Sequence, residues 1–246
     1  MKIPLIIGHR GAMGTVAENT ASSFKKALET GADGVEFDIH MSKDGELVVI
    51  HDERIDRVVD NGSGFVKDFT LKELKGFDIG SKFSEEFKGE KVLSLKETLD
   101  IVKDSKIINI EIKNGPIFYP EIEEKTIDII NTYNISNKVI VSSFNHYTIK
   151  KIKELSGEIK CALLYMAGLY KPWEYAKKIA AEAIHPYIFS ITPELIKECQ
   201  KSGIMINVFA VNEDDYLAKF IHLGVDGIIT DYPEKARNIL KNYLKR

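Results

Sequence analysis

The 246-residue chain is short of cysteine, of net charge and of long apolar runs, and each shortage removes a class of function. Its two cysteines, Cys161 and Cys199, fall on different expected elements and lack CxxC spacing, so free core thiols are expected rather than a disulfide framework. A formal net charge of −3 gives no basic footprint for nucleic acid or an anionic membrane surface. The expected partner is therefore a small molecule, and an anionic one would have to be drawn in by a few placed cations or a metal. No apolar run approaches the roughly 20 residues that span a bilayer. The longest, CALLYMAGLY from Cys161, is interrupted at Gly168 and ends at Lys171 and Pro172. The opening MKIPLIIGHRG leaves no room for a signal segment and its cleavage site, which points to the cytoplasm and to no stable membrane insertion. No GxGxxG follows the first apolar stretch, which disfavours a doubly wound open sheet.

What the sequence does contain is an alternation of short β-type runs with longer helical patterns. Strands are expected at LIIGH (Leu5), VEFDIH (Val35), IINIEIK (Ile107), VIVSSF (Val139), IKCALLY (Ile159), AIHPYI (Ala183), MINVFAV (Met205) and DGIITD (Asp226). Helices fall between them. In NTASSFKKALETG, Phe24, Ala27 and Leu28 share a face, Asn19 or Thr20 supplies the cap and Gly31 the stop. TPELIKECQKSG has Thr192 as cap, Pro193 in the first turn and Gly203 as stop. SLKETLDIVK carries a capping box of Ser94 and Glu97. Eight strand–helix units in series predict an α/β fold, a TIM-type (β/α)8 barrel forming one domain over residues 1–246. The second strand runs on through SKDGEL, where Asp44-Gly45 signals a hairpin, into LVVIHD. Residues from about 52 to 92 then fit no barrel unit and predict a small insertion subdomain, far longer than the ~2–6 residues of an ordinary βα loop. Phe65, Phe69, Phe77, Phe83 and Phe87 are expected to form its core. A helix-rich exterior permits a homodimer without requiring one.

Alternation along VEFDIH sends Glu36, Asp38 and His40 to the barrel axis, and along INIEIK it sends Asn109, Glu111 and Lys113 there. Three carboxylates converging in a barrel are expensive unless something neutralises them. A hard, oxygen-seeking divalent cation, Mg²⁺ or Ca²⁺, explains them better than a thiolate-loving metal. An internal salt-bridge network, Glu111 with Lys113 or Arg10, is the bland alternative. His9 and His51 each close a strand beside a charged residue, His9–Arg10 and His51–Asp52, and imidazole exchanges protons near neutral pH. The other histidines are expected to be structural: His146, His185 and His222 by position, with His40 lying beyond the acids. The glycines flanking His9–Arg10 would let something approach the backbone closely.

GHRGA…AENTASSF, GADGVEFDIHMSKDGELVVIHDERIDR, IEIK, NVFAVN and GVDGIITDYP, in this order across essentially the whole chain, resemble the glycerophosphodiester phosphodiesterase family. The resemblance implies a TIM-type barrel with a small insertion, and hydrolysis of glycerophosphodiesters to sn-glycerol 3-phosphate and an alcohol with a divalent metal. Matched residue by residue, it implies His9 and His51 as the acid/base pair, Arg10 and Lys113 as phosphate contacts, and Glu36, Asp38 and Glu111 as metal ligands. Phe209 stands where such proteins usually carry a tryptophan, with Asn212 retained in the substrate pocket; AENT replaces the more frequent PENT. The alternatives are a lysophospholipase D-like or cyclising phosphodiesterase acting on lysophospholipids, a Schiff-base enzyme using Lys113, and a barrel that only binds a phosphorylated metabolite. The Schiff-base reading leaves the carboxylates and histidines without a task.

Overall fold

Strand β1 (Leu5–His9) pairs in parallel with β2 (Gly34–Met41) on one side and with the last strand, β10 (Gly227–Thr230), on the other. That double pairing closes the sheet. Between them the wall runs in sequence order through β5 (Ile107–Ile112), β6 (Val139–Ser143), β7 (Lys160–Tyr165), β8 (Ala183–Pro186) and β9 (Met205–Val208), every neighbour parallel. The computed structural model describes residues 2–245. Helices cover the outside, one after each barrel strand, as the alternating periodicity requires, so the TIM-type barrel expected from the sequence is the fold. Several of these helices start and stop where their caps dictate. Ser94 and Glu97 form a reciprocal capping box on α3 (Leu95–Val102), and Thr192 caps α7 (Pro193–Ser202), which ends at left-handed Gly203.

Beyond the barrel rim, β2 turns at residues 42–46 and pairs antiparallel with β3 (Leu47–Val49), which pairs in turn with β4 (Leu93–Ser94). Residues 50–92 lie between those two strands. Val48, Ile50, Ile55, Val59, Val66, Leu74, Ile79 and Val92 make a buried cluster of their own, separate from the barrel's. Of the phenylalanines expected in it, only Phe69 and Phe77 pack there. Phe65 lies under the Arg54 guanidinium, Phe83 is half exposed and Phe87 packs against the barrel core. This small core is aliphatic, with the Phe69 and Phe77 rings partly buried against it.

Inside the barrel, Ile7, Ile107, Ile140, Ala162, Ala183 and Ile229 form an apolar plug. One step along the strands the interior turns polar: Asn109 donates to Ser142 at 3.0 Å and Asn207 to His185 Nε2 at 2.9 Å. Glu36 and His9 share the level of Asn109, and Asp38 and Glu111 occupy the next, so the ionisable residues gather toward the carboxyl ends of the strands. Cys161 and Cys199 are buried and unpaired. No helix among the described residues is long and apolar enough to cross a membrane.

The turn after β1 answers what the flanking glycines are for. Gly11 has φ +86°, and a Cβ on it would fall 2.4 Å from Ser23 Oγ and 2.6 Å from the Ser23 carbonyl carbon. What approaches the backbone there is the chain's own first outer helix, α1 (Ala21–Glu29), not a ligand. Ser23 Oγ accepts from Ala12 N at 2.9 Å and donates to Arg10 O at 2.8 Å, fixing the turn. Gly11→Ala combines a left-handed backbone with overpacking, a cost of about 1–3 kcal/mol. Its melting temperature, read by differential scanning fluorimetry, is expected to fall by about 2–10 °C. An unchanged value would contradict this account of the turn.

Candidate active site

Glu36 and Asp38 on β2 and Glu111 on β5 each offer a carboxylate oxygen within 4.8 Å of the other two. Parallel registry does this, since Asp38 lies level with Glu111 and Glu36 with His9. Two fixed cations join them. Lys113 Nζ is 2.5 Å from Glu111 Oε1 and 3.1 Å from Asp38 Oδ1; Arg10 Nε is 3.6 Å from Asp38 Oδ2. Arg10 has φ 49°, a left-handed backbone that turns its N–H onto Glu36 Oε2 at 3.1 Å. A non-glycine residue held there is strained, and such strain gathers at functional sites.

The electrostatics are those of a crowded acid cluster. Burial raises the Glu36 carboxyl well above its ordinary range, reinforced by the charges of Asp38 and Glu111. Burial also pushes Glu111 up to about 7; Lys113 opposes the shift and Asp38 adds to it. Asp38 goes the other way: burial is outweighed by the Lys113 ammonium, the Arg10 guanidinium and a 3.0 Å hydrogen bond from Asn19 Nδ2, so it stays ionised. With all three acids ionised, two cations leave one negative charge in excess. Asp38 Oδ1 and Glu111 Oε1 are buried and share the one Lys113 ammonium. Hard oxygen donors left short of partners in this way fit a divalent cation. The salt-bridge network exists as well, with Lys113 straddling two of the acids, and does not by itself neutralise the cluster.

Each of the two histidines is oriented by an aspartate. His9 Nδ1–H donates to Asp231 Oδ1 at 2.6 Å and turns Nε2 to 3.9 Å from Glu36 Oε2. His51 Nδ1–H donates to Asp52 Oδ1 at 2.5 Å. A carboxylate at Nδ1 fixes the tautomer and leaves Nε2 for proton exchange. His40, expected to lie beyond the acids, is fully buried between Tyr119 Oη at 2.9 Å and the His51 carbonyl, to which Nε2–H donates at 3.0 Å; burial lowers its pKa to about 4. It holds the backbone that carries His51. His146 and His222 bond Tyr175 and Tyr243, and His185 bonds Asn207 inside the barrel.

Several partners escaped the sequence reading. Asp231, Glu18 and Asn19 sit within the recognised strings DGIITD and AENT, but only the folded chain shows what they touch. Asn19 does not cap α1; Thr20 does, and Asn19 adopts φ 56° to reach Asp38. Asn212, expected at the substrate pocket, gives both ends of its amide to its neighbours: Nδ2 donates to Asp231 Oδ2 at 2.6 Å, and Oδ1 accepts from Asp231 N at 3.0 Å. Phe209 follows β9, its ring edge-on to Phe144 at 5.9 Å and tilted to Tyr187 at 5.8 Å. A groove of about 880 Å³ opens from Glu111 and Lys113 and runs past Phe118, Tyr119, Phe144 and Tyr147.

A closed parallel barrel with acids, cations and oriented imidazoles gathered at the carboxyl ends of its strands is the architecture of a barrel enzyme. Residues 9–235 match the model of the glycerophosphoryl diester phosphodiesterase family. A glycerophosphodiester phosphodiesterase of Caldanaerobacter subterraneus is 47% identical over 238 residues, covering 96% of this chain and 98% of its own. Among solved structures, an Oleispira antarctica phosphodiesterase in complex with the product sn-glycerol-3-phosphate superposes with a TM-score of 0.88 at 25% identity, covering 97% of each chain. A glycerophosphodiester phosphodiesterase of Thermotoga maritima does so with 0.78 at 29% identity, over 97% of this chain and 99% of its own. The chain belongs to the glycerophosphoryl diester phosphodiesterase family.

Proposed function

We propose that the protein hydrolyses glycerophosphodiesters to sn-glycerol 3-phosphate and an alcohol, as one domain over residues 1–246 with its insertion at about 52–92. The observation that carries this reading is the buried trio Glu36, Asp38 and Glu111 flanked by Arg10, Lys113 and two aspartate-oriented histidines. It is supported by sn-glycerol-3-phosphate bound to the Oleispira relative. The trio would hold Mg²⁺ or Ca²⁺, which supplies Lewis-acid neutralisation of the phosphate oxygens.

Arg10 and Lys113 face the non-bridging oxygens and counter the charge that builds on them as water attacks phosphorus. One imidazole, His9 or His51, takes the proton of that water as the new P–O bond forms. The other gives its proton to the alkoxide released as the old P–O bond breaks. Asp231 and Asp52 hold the two rings in register for the transfer. Phe209 supplies an aromatic wall to the substrate pocket that Asn212 borders, and the groove beside Lys113 gives the departing alcohol room. Two buried free thiols suit a reducing compartment, the cytoplasm.

The test is a cation series on glycerophosphocholine, with glycerol 3-phosphate and choline measured before and after chelation. Both products are expected in equal amounts, lost on chelation and restored by added Mg²⁺ or Ca²⁺. Failure to release either product with any divalent cation would sink the reading.

A further inference from the structure

Arg57 lies in the insertion, five residues after Asp52, yet its guanidinium reaches back to the barrel. Nε donates to Asp52 Oδ2 at 2.6 Å and Nη2 to Asp52 Oδ1 at 3.3 Å. Nη1 donates to Glu18 Oε2 and Nη2 to Glu18 Oε1, both at 2.7 Å. Each carboxylate thus meets one side chain in a two-point grip, a geometry the planar fork of arginine allows and lysine does not. The far side of each carboxylate is engaged as well. Glu18 Oε1 accepts from Arg10 Nη1 at 2.9 Å, and Asp52 Oδ1 accepts from His51 Nδ1 at 2.5 Å.

We propose that Arg57 is a positioning residue: by bracketing Glu18 and Asp52 it fixes Arg10 and His51 relative to each other, so that the insertion takes part in the reaction. The inference rests on the phosphodiesterase reading given above for Arg10 and His51. Without Arg57, Asp52 keeps only the His51 ring as its side-chain partner, and Glu18 keeps only Arg10. Both carboxylates are then free to swing, and each carries a functional group with it. An ordinary surface ion pair is the competing account, since the Arg57 side chain is 46% exposed and such pairs contribute little. The two accounts differ in what they do to turnover. A surface pair leaves kcat alone, whereas a displacement of about 1 Å in a reacting group costs up to about 10²-fold.

The experiment compares wild type, Arg57→Ala and Arg57→Lys, all full length with Mg²⁺ and glycerophosphocholine, and follows the His51 ring by proton–carbon NMR, assigned by its loss in His51→Gln. For Arg57→Ala, kcat is expected to fall about 10- to 100-fold while KM changes far less. Millimolar guanidinium chloride should recover part of that loss, the His51 resonance should shift, and the melting temperature should hold. Arg57→Lys should be intermediate, because an ammonium satisfies one carboxylate at a time, and it keeps the test open should the alanine variant fail to fold. Wild-type kcat in Arg57→Ala, an unmoved His51 resonance, or a loss that guanidinium does not relieve would overturn the proposal. Should the wild-type protein release no product with either Mg²⁺ or Ca²⁺, the functional reading fails, and the His51 resonance still decides whether Arg57 positions the ring.

Discussion

His9→Ala and His51→Ala are each expected to lower turnover of glycerophosphocholine by at least about 10²-fold while the protein stays folded. The first half follows from the two imidazoles being the only proton carriers beside the acidic trio with a carboxylate on Nδ1 among the described residues. In the proposed mechanism, removing either ring leaves one of the two proton transfers without a partner. The second half follows from their burial. The side chains are 17% and 30% exposed, so truncation opens a site already at the rim rather than a cavity in the core. Activity and melting temperature, measured on the same preparations, check both halves. Full activity in either variant would remove that histidine from the mechanism.

Glu36→Gln is expected to do something less usual: lower turnover about 10³-fold, as losing several kcal/mol of transition-state stabilisation implies, without weakening the cation-free fold. Glutamine keeps the shape and the acceptor for Arg10 N, and it removes a charge that burial and two neighbouring carboxylates already resist. Its melting temperature without divalent cation should equal or exceed that of wild type, and a clear fall would refute the assignment. The same crowding gives a pH signature. Glu111 is raised to about 7 in the fold from an ordinary 4.5, so its contribution to stability is present below about 4.5 and is lost as pH rises through 7. A bound cation requires the ionised form. The rise in melting temperature on adding Mg²⁺ should therefore be larger at pH 8 than at pH 6; the reverse order would contradict the picture of cation and protons competing for these oxygens.

The barrel was legible in the sequence because each strand and its helix are local events. VEFDIH and INIEIK alternate cleanly, and parallel pairing then delivers Asp38 level with Glu111 with no further information. The caps at Ser94 and Thr192 were legible for the same reason: capping spans three or four residues. The supports of the site were not. Asp231 is 222 positions from His9, and Glu18 is 39 from Arg57. No short-range pattern marks either pair, so nothing before folding distinguished Asp231 from any other acid after a strand. Asn19 misled because asparagine suits both a helix cap and a left-handed turn, and the choice was made by Asp38, a partner on another strand. In the insertion, the core is made by valines, isoleucines and a leucine scattered over residues 48–92, with no periodicity to mark them in the sequence.

Because the first strand finds its second neighbour only in the last, the relay from Asp231 through His9 to Glu36 joins residues 222 positions apart. A chain leaving the ribosome presents His9 a full 222 residues before the aspartate that aims it, which follows the eighth barrel strand. Copies cut before Asp231 accordingly lack the carboxylate on His9 Nδ1, and the proposed proton transfer at that ring waits on closure of the barrel.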